Sequence, residues 1–209
     1  MISALEFASC YVYSPAGAGE ICERSRLLRE LLKEGNARFM RGYAARVHEQ
    51  ILESPQLAGF LTTADLLVPV PGSAPAENQG RYVAARLAEA LLRQGLGCDT
   101  WAGLKRIRAV SKSATASRRA RPSVASHYES FSIESLPQAP HSLVLVDDVV
   151  TKGRTLFAAA VRLHEAFPGA NIRAFALLRT LGMIPEVPRL LEPCRGLIRW
   201  RAGDARRNP

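Results

Sequence analysis

The sequence predicts an α/β protein whose open, mostly parallel sheet is flanked by helices. Short apolar runs alternate with longer segments of helical periodicity, which is typical of parallel sheets with crossover helices. The chain has 209 residues, 47% of them hydrophobic and 22% charged, enough for one compact domain with additions. This composition excludes collagen, coiled coil and wholesale disorder. The longest apolar runs, 66–70 and 143–146, are too short to cross a membrane.

The N-terminal part of the chain has the periodicity of helices. Leucines recur at helical spacing over 23–34, where Gly35 supplies a stop, and apolar residues form one stripe over 37–53. The spacing predicts two antiparallel helices within an N-terminal helical segment, residues 1–60.

The second part, residues 61–182, has the alternation expected of the α/β core. An apolar run that ends in Pro and Gly indicates a buried parallel strand rather than a helix. The predicted strands are 65–71, 100–104, 142–150 and 171–179, and the predicted helices are 78–95 and 156–167. Between the second and third strands the chain is rich in Ser, Ala and Arg, and we expect a flexible loop over 105–128.

Charge is concentrated in two places. The formal net charge is +9, and 101–128 contains seven basic residues and no acidic one. Residues 195–209 contain five basic residues and one acidic residue, so the remaining chain is close to neutral. A basic excess indicates anionic partners.

Cysteine and histidine spacing predicts neither a zinc site nor disulfides. The four cysteines and four histidines are scattered, without a C-x-x-C pair or a Cys/His cluster. The N-terminus has no basic region followed by an apolar stretch, so no secretory signal is readable and we expect a cytoplasmic protein.

The most informative segment is 143–155, where four apolar residues precede two carboxylates and a Thr-x-Gly-x-Thr turn. Gly153 permits close approach of an anion to the backbone, and the helix that follows directs free N–H groups and its positive end to the same point. Hydroxyl groups and basic side chains surround this turn. We expect the following residues to bind a phosphate group: Val150, Thr151, Lys152, Gly153, Arg154 and Thr155.

Asp147 and Asp148, named here the acidic pair, require a different ligand group. Carboxylates repel a phosphate dianion but accept hydrogen bonds from vicinal hydroxyls. A phosphate beside a diol describes a ribose 5-phosphate. The alternative is an ordinary strand–helix turn with an Asp cap, which explains neither the second carboxylate nor the Thr-x-Gly-x-Thr spacing.

This pattern resembles the phosphoribosyl-pyrophosphate (PRPP) motif of type I phosphoribosyltransferases. The segment 68–73, Val-Pro-Val-Pro-Gly-Ser, resembles the strand end that precedes the pyrophosphate loop of the ComF-like branch of that family. Two features differ from the branch. The Cys-rich zinc-binding N-terminal segment is missing, since only Cys10 and Cys22 lie there. The loop of that branch usually carries a Gln and a later Asn, whereas 105–130 contains neither.

The resemblance implies the type I fold, with a small hood built from the N-terminal segment and from a C-terminal segment with a basic tail, residues 183–209. It implies transfer of a 5-phosphoribosyl group to an unidentified nitrogen acceptor, with pyrophosphate released and Mg²⁺ held through PRPP oxygens rather than by direct protein ligands. The implied catalytic residues are Asp147 and Asp148, which orient the ribose, and Lys105 or Lys112, which stabilises the leaving group. The implied pyrophosphate-binding residues are Pro71, Gly72, Ser73, Arg81, Arg106 and Ser111.

Two alternatives outside catalysis stay open. One is a non-catalytic protein that senses PRPP or a nucleotide. The other is a ComF-like protein associated with nucleic acid and DNA uptake, which would use Trp200 among Arg195, Arg199 and Arg201. For the tail, the simpler interpretation is a solvated basic terminus. No membrane partner is expected, and a homodimer is compatible with the sequence.

Overall fold

The computed structural model describes residues 2–75, 82–111, 122–182 and 186–208. Its strands are β1 (Ala4–Tyr13), β2 (Leu66–Pro69), β3 (Asp99–Thr100), β4 (Leu104–Arg106), β5 (Phe131–Ile133), β6 (Ser142–Val150), β7 (Asn171–Thr180), β8 (Leu191–Arg201) and β9 (Asp204–Asn208). Its helices are α1 (Glu20–Glu34), α2 (Ala37–Glu53), α3 (Val83–Leu92), α4 (Val124–Glu129) and α5 (Arg154–Ala166). None of the described helices is long and apolar enough to cross a membrane.

Seven strands form one mixed sheet in the order β3-β2-β6-β7-β1-β8-β9. The four pairings from β3 to β1 are parallel, and the two that add β8 and β9 are antiparallel. A separate antiparallel pair, β4 with β5, lies outside this sheet. The predicted class, an open and mostly parallel sheet flanked by helices, is therefore confirmed.

Helices cover both faces of the sheet. Strand β6 shows the arrangement, because Val144 and Val146 pack in the core formed with α1, α2 and α3, whereas Leu143 and Leu145 pack in the core formed with α5. All four side chains are fully buried. A strand covered on both faces has a continuous apolar sequence, which is why its predicted bounds match the observed ones.

The two expected hood segments contain strands of the main sheet. The N-terminal residues of β1 lie between β7 and β8, near the sheet centre, and β8 with β9 forms a hairpin that extends the same sheet. This C-terminal hairpin, β8 and β9, was expected to be part of a hood with a basic tail. The polar residues Glu6 and Ser9 interrupt the apolar run of β1, and three arginines interrupt the apolar residues of β8, so neither segment had a clear strand signal.

The sequence predicts the helices more accurately than the short strands. The first two predicted helices correspond to α1 and α2, the second with identical bounds. The strand expected over 100–104 is wrong, because the chain instead forms β3 and β4 on either side of Gly103. The expected loop 105–128 includes most of β4 and most of α4, and its residues 112–121 lie outside the described part.

The topology creates a crevice where β2 and β6 end. From β2 the chain enters α3 on one face of the sheet, and from β6 it enters α5 on the other face. Neighbouring parallel strands whose connections leave on opposite faces open a crevice at their carboxyl ends, which is where open α/β sheets bind ligands. Both motifs singled out in the sequence follow these two strands.

Candidate functional site

The two predicted binding segments lie beside each other. Strands β2 and β6 are parallel neighbours, with Pro69 opposite Val146, and the Val70 N–H donates to the Val146 carbonyl at 2.9 Å. The 71–73 turn and the 151–155 loop therefore leave the sheet at the same edge. The pairing of β2 with β6 therefore favours the expectation that both segments face one ligand.

The 151–155 loop presents the free end of a helix. Gly153 has φ of +82° and precedes the first residue of α5, and no side chain caps its first turn. The backbone N–H groups at the start of α5 thus have no side-chain acceptor from the N-cap position. An uncapped helix N-terminus with a left-handed glycine is suited to an anion.

The C-terminal hairpin packs directly against the 151–155 loop. A Cβ atom added at Gly153 would lie 2.6 Å from the Ile198 side chain, so the loop and β8 are in close contact. The Arg207 Nε–H donates to the Thr151 carbonyl at 3.0 Å, and Thr151 Oγ1 lies 3.1 Å from Thr180 Oγ1. The segment expected to be a basic tail is therefore part of the site.

Arg154 is engaged within the protein. Its Nε and Nη2 each donate to an Asp204 carboxylate oxygen at 2.6 Å, and its Nη1 donates to the Pro122 carbonyl at 3.1 Å. The hydrogen bonds between these two side chains raise the pKa of Arg154 and lower the pKa of Asp204. Arg154 was expected to supply charge to the phosphate, but in this structure it fastens the hairpin to the loop. Lys152 is half-exposed, 3.9 Å from Asp204.

The acidic pair lies at the carboxyl end of β6. Asp147 Oδ1 accepts a hydrogen bond from the Asp148 N–H at 2.8 Å, and Asp148 forms an ion pair with Lys33 from the last turn of α1. Burial, and then the charge of Asp148, raise the pKa of Asp147 well above its usual range. Lys33 acts in the opposite direction. The two carboxyl groups thus lie side by side, where their oxygens can accept hydrogen bonds from the two hydroxyls of a diol.

Arg106 braces the 71–73 turn. It is 2% exposed, donates to the carbonyls of Pro71 (3.4 Å) and Gly72, and stacks over the Phe131 ring at 4.3 Å. It also donates to Ser130 Oγ. Burial lowers the pKa of Arg106 to about 10, while the charge of Asp147 raises it. Sequence analysis expected Arg106 to bind pyrophosphate, whereas here its donors hold the turn that carries the backbone of Pro71 and Gly72.

The other predicted residues are more dispersed. The Ser73 carbonyl accepts a hydrogen bond from the Val110 N–H at 2.9 Å, which brings the irregular segment that follows β4 to the turn, and Ser111 is exposed next to it. Lys105 Nζ lies 3.6 Å from Glu134 Oε1, a carboxylate just after the end of β5. The predicted Arg81 and Lys112 lie outside the described residues. Within the described ranges, no group of three or more His, Cys, Asp or Glu residues is placed to hold a metal ion.

His127 is a site residue that the sequence analysis missed. It lies on α4, is 4% exposed and stacks against Phe131, and its Nε2 lies 3.3 Å from Thr155 Oγ1. Its Nδ1 is buried and has no partner among the described residues. Burial, followed by the charges of Arg106 and Arg154, lowers the pKa of His127 to about 4. No local pattern marks it, since it reaches the loop only through packing of α4 on α5.

Acid should destabilise the protein through His127. Its pKa falls from 6.5 to about 4 on folding, so the unfolded chain binds the proton first as pH decreases. Stability is therefore present above the ordinary histidine pKa and is lost as pH falls through the window from 6.5 to 4. We expect a loss of about 2 kcal/mol between pH 7 and pH 5. Urea unfolding across this range measures it.

The matched variants are His127→Gln and His48→Gln, the second at a partly exposed histidine of α2. The His127→Gln protein should lack most of the pH dependence between pH 7 and pH 5, and the His48→Gln protein should retain it. An identical pH profile for the wild type and the His127→Gln protein would contradict the assignment.

Comparison with known proteins adds no relative to this picture, because the sequence matches neither a protein-family model nor a curated protein.

Proposed function

We propose that this protein binds PRPP and, with Mg²⁺, transfers its 5-phosphoribosyl group to a nitrogen acceptor. The observation that carries the proposal is the placement of the acidic pair at the carboxyl end of β6, next to the uncapped N-terminus of α5 and beside the 71–73 turn of the neighbouring strand. These three elements match a diol, a phosphate and a pyrophosphate.

Each of these three elements binds a different group of PRPP. The acidic pair accepts hydrogen bonds from the two ribose hydroxyls, and the 151–155 loop holds the 5-phosphate through backbone N–H groups and hydroxyls. The 71–73 turn, braced by Arg106, presents backbone to the pyrophosphate. Ser111 lies close to the same group, because the N–H of its neighbour Val110 donates to the Ser73 carbonyl.

The reaction needs positioning and charge more than a protein nucleophile. The bond between C1 and the pyrophosphate oxygen breaks, the bond from C1 to the acceptor nitrogen forms, and the proton lost by the acceptor passes to the released pyrophosphate or to water. Positive charge develops on the ribose ring, and the carboxylates of the acidic pair stabilise it. When bound, Mg²⁺ neutralises the pyrophosphate through its oxygens, which fits a site whose Asp148 is already paired with Lys33.

PRPP binding and pyrophosphate release test the proposal directly. We expect calorimetry to detect PRPP in the presence of Mg²⁺, and a panel of bases and amines to contain at least one acceptor that releases pyrophosphate. The control for the diol compares the affinities of ribose 5-phosphate and 2-deoxyribose 5-phosphate, because only ribose 5-phosphate has both hydroxyls.

The outcomes are distinct. Preference for ribose over 2-deoxyribose together with pyrophosphate release supports the enzyme. PRPP binding without release from any acceptor supports the sensing alternative and overturns the catalytic proposal. Absence of PRPP binding overturns both.

A further inference from the structure

A cavity of about 370 Å³ lies beside the 151–155 loop, on the side of the C-terminal hairpin. Thr151 and Lys152 line it from the loop, and Arg206 and Arg207 line it from β9. The residues that line it are therefore one threonine and three basic residues. Such a lining suits an anion.

Two arginines of this cavity have donor groups without an acceptor among the described residues. Arg206 is exposed, and within the described part of the chain its side chain has no hydrogen bond and no ion pair. Arg207 uses Nε and Nη2 on the carbonyls of Thr151 and Thr180, and its buried Nη1 has no acceptor among the described residues.

Asp204, the carboxylate nearest to Lys152 among the described ion pairs, already accepts hydrogen bonds from another cation. Among the described residues, Lys152 has one ion-pair partner, Asp204 at 3.9 Å, and both oxygens of that carboxylate already accept from Arg154 at 2.6 Å. The hairpin register also places Arg206 directly opposite Arg199. Like charges opposite each other in a sheet are destabilising, and a bound anion would relieve the repulsion.

We propose that this cavity binds a phosphate group, with Arg206 and Lys152 as its charged ligands and Thr151 as a hydroxyl donor. The inference deepens the proposed function and rests on it, because the 151–155 loop is the expected 5-phosphate site. The hairpin thus replaces the charge that Arg154 withdraws when it pairs with Asp204. Guanidinium and ammonium groups are both common phosphate ligands.

The bound group is a phosphate monoester or inorganic phosphate. A concave cavity between a loop and a strand suits a compact terminal phosphate, and the site lies next to a helix N-terminus that suits the same group. The sequence left the basic C-terminal residues without a partner. In this assignment, Arg206 of β9 shares a phosphate ligand with the 151–155 loop.

Binding of inorganic phosphate and of ribose 5-phosphate, measured by calorimetry at low ionic strength, tests the assignment. Arg206→Gln and Lys152→Gln should each weaken both ligands by about tenfold or more. The matched control is Arg201→Gln, which removes an exposed arginine of the same hairpin that lines no part of the cavity. This control should change either affinity by less than about twofold.

A second measurement does not require a ligand to be identified. Without phosphate, Arg206→Gln should leave the melting temperature unchanged or raise it, because repulsion from Arg199 disappears. Phosphate should raise the melting temperatures of the wild type and of the Arg201→Gln protein. The shift of the Arg206→Gln protein should be much smaller. Equal phosphate-induced shifts in the two variants would overturn the proposal.

The result separates this inference from the proposed function. Phosphate binding that depends on Arg206, in a protein that neither binds PRPP nor releases pyrophosphate, retains the anion site and removes the transferase. PRPP binding that is insensitive to Arg206→Gln removes the anion site and retains the transferase. The small-phosphate assignment is also overturned if Arg206→Gln weakens binding of a single-stranded oligonucleotide but leaves the affinities for inorganic phosphate and ribose 5-phosphate unchanged.

Discussion

Replacing both carboxylates of the acidic pair, Asp147→Asn with Asp148→Asn, should weaken PRPP binding by about 1,000-fold and abolish pyrophosphate release. Each hydrogen bond from a ribose hydroxyl to an ionised carboxylate is worth roughly 1.5–3 kcal/mol. Loss of two such bonds corresponds to about two to four orders of magnitude in affinity. Calorimetry with PRPP and Mg²⁺ measures the loss.

The fold should survive this substitution. Because the pKa of Asp147 is raised on folding, the native state binds its proton more tightly than the unfolded chain. Stability from this group is therefore greatest at low pH and is lost as pH rises from the ordinary aspartate pKa through the raised one. Removing the carboxylates removes this loss, so at neutral pH the variant should be as stable as the wild type or more stable. Urea unfolding checks this.

Two further variants make the result specific. Asp99→Asn changes an exposed carboxylate of β3 and should leave PRPP affinity unchanged. Lys33→Met removes the cation that opposes the rise in the pKa of Asp147, so the pH at which PRPP affinity is half-maximal should move upward. PRPP affinity of the double variant within threefold of the wild type would contradict the role given to the acidic pair.

Sequence patterns revealed the parts of the site that are continuous in the chain. Strand β6, the acidic pair and the start of α5 follow one another directly, so strand signal, turn chemistry and helix start reinforce each other. The same holds for β2 and the 71–73 turn. Their proximity was predictable because carboxyl ends of parallel strands share one edge of a sheet.

Contacts between distant segments could not be predicted in this way. Leu5 pairs with Ile198 across almost the whole chain, and this pairing brings β8 beneath Gly153. Lys33 reaches Asp148 only because α1 packs on the same face as α3, and His127 reaches Thr155 only through packing of α4. These residues have no local signal, since their roles depend on tertiary packing.

The strongest test of the link between hairpin and loop is Gly153→Ala, which should cost about 4 kcal/mol of unfolding free energy. A left-handed backbone costs an alanine roughly 1–2 kcal/mol. Overpacking adds about 1–3 kcal/mol, because the new Cβ would lie 2.6 Å from Ile198 Cδ1 and 2.8 Å from its two other branch carbons. Urea unfolding measures the cost, and calorimetry should show that PRPP affinity falls as the loop moves.

The matched control is Gly59→Ala, at a glycine with φ of +66° whose added Cβ would contact nothing within 4 Å. It carries the backbone strain alone, so it should cost about 1–2 kcal/mol and leave PRPP affinity unchanged. The difference between the two glycines measures the contact with β8. Ile198→Val, which removes Cδ1, should recover about 1 kcal/mol of the Gly153→Ala cost in a double-mutant cycle. Equal losses at Gly153 and Gly59, with no coupling to Ile198, would show that the hairpin does not support the loop.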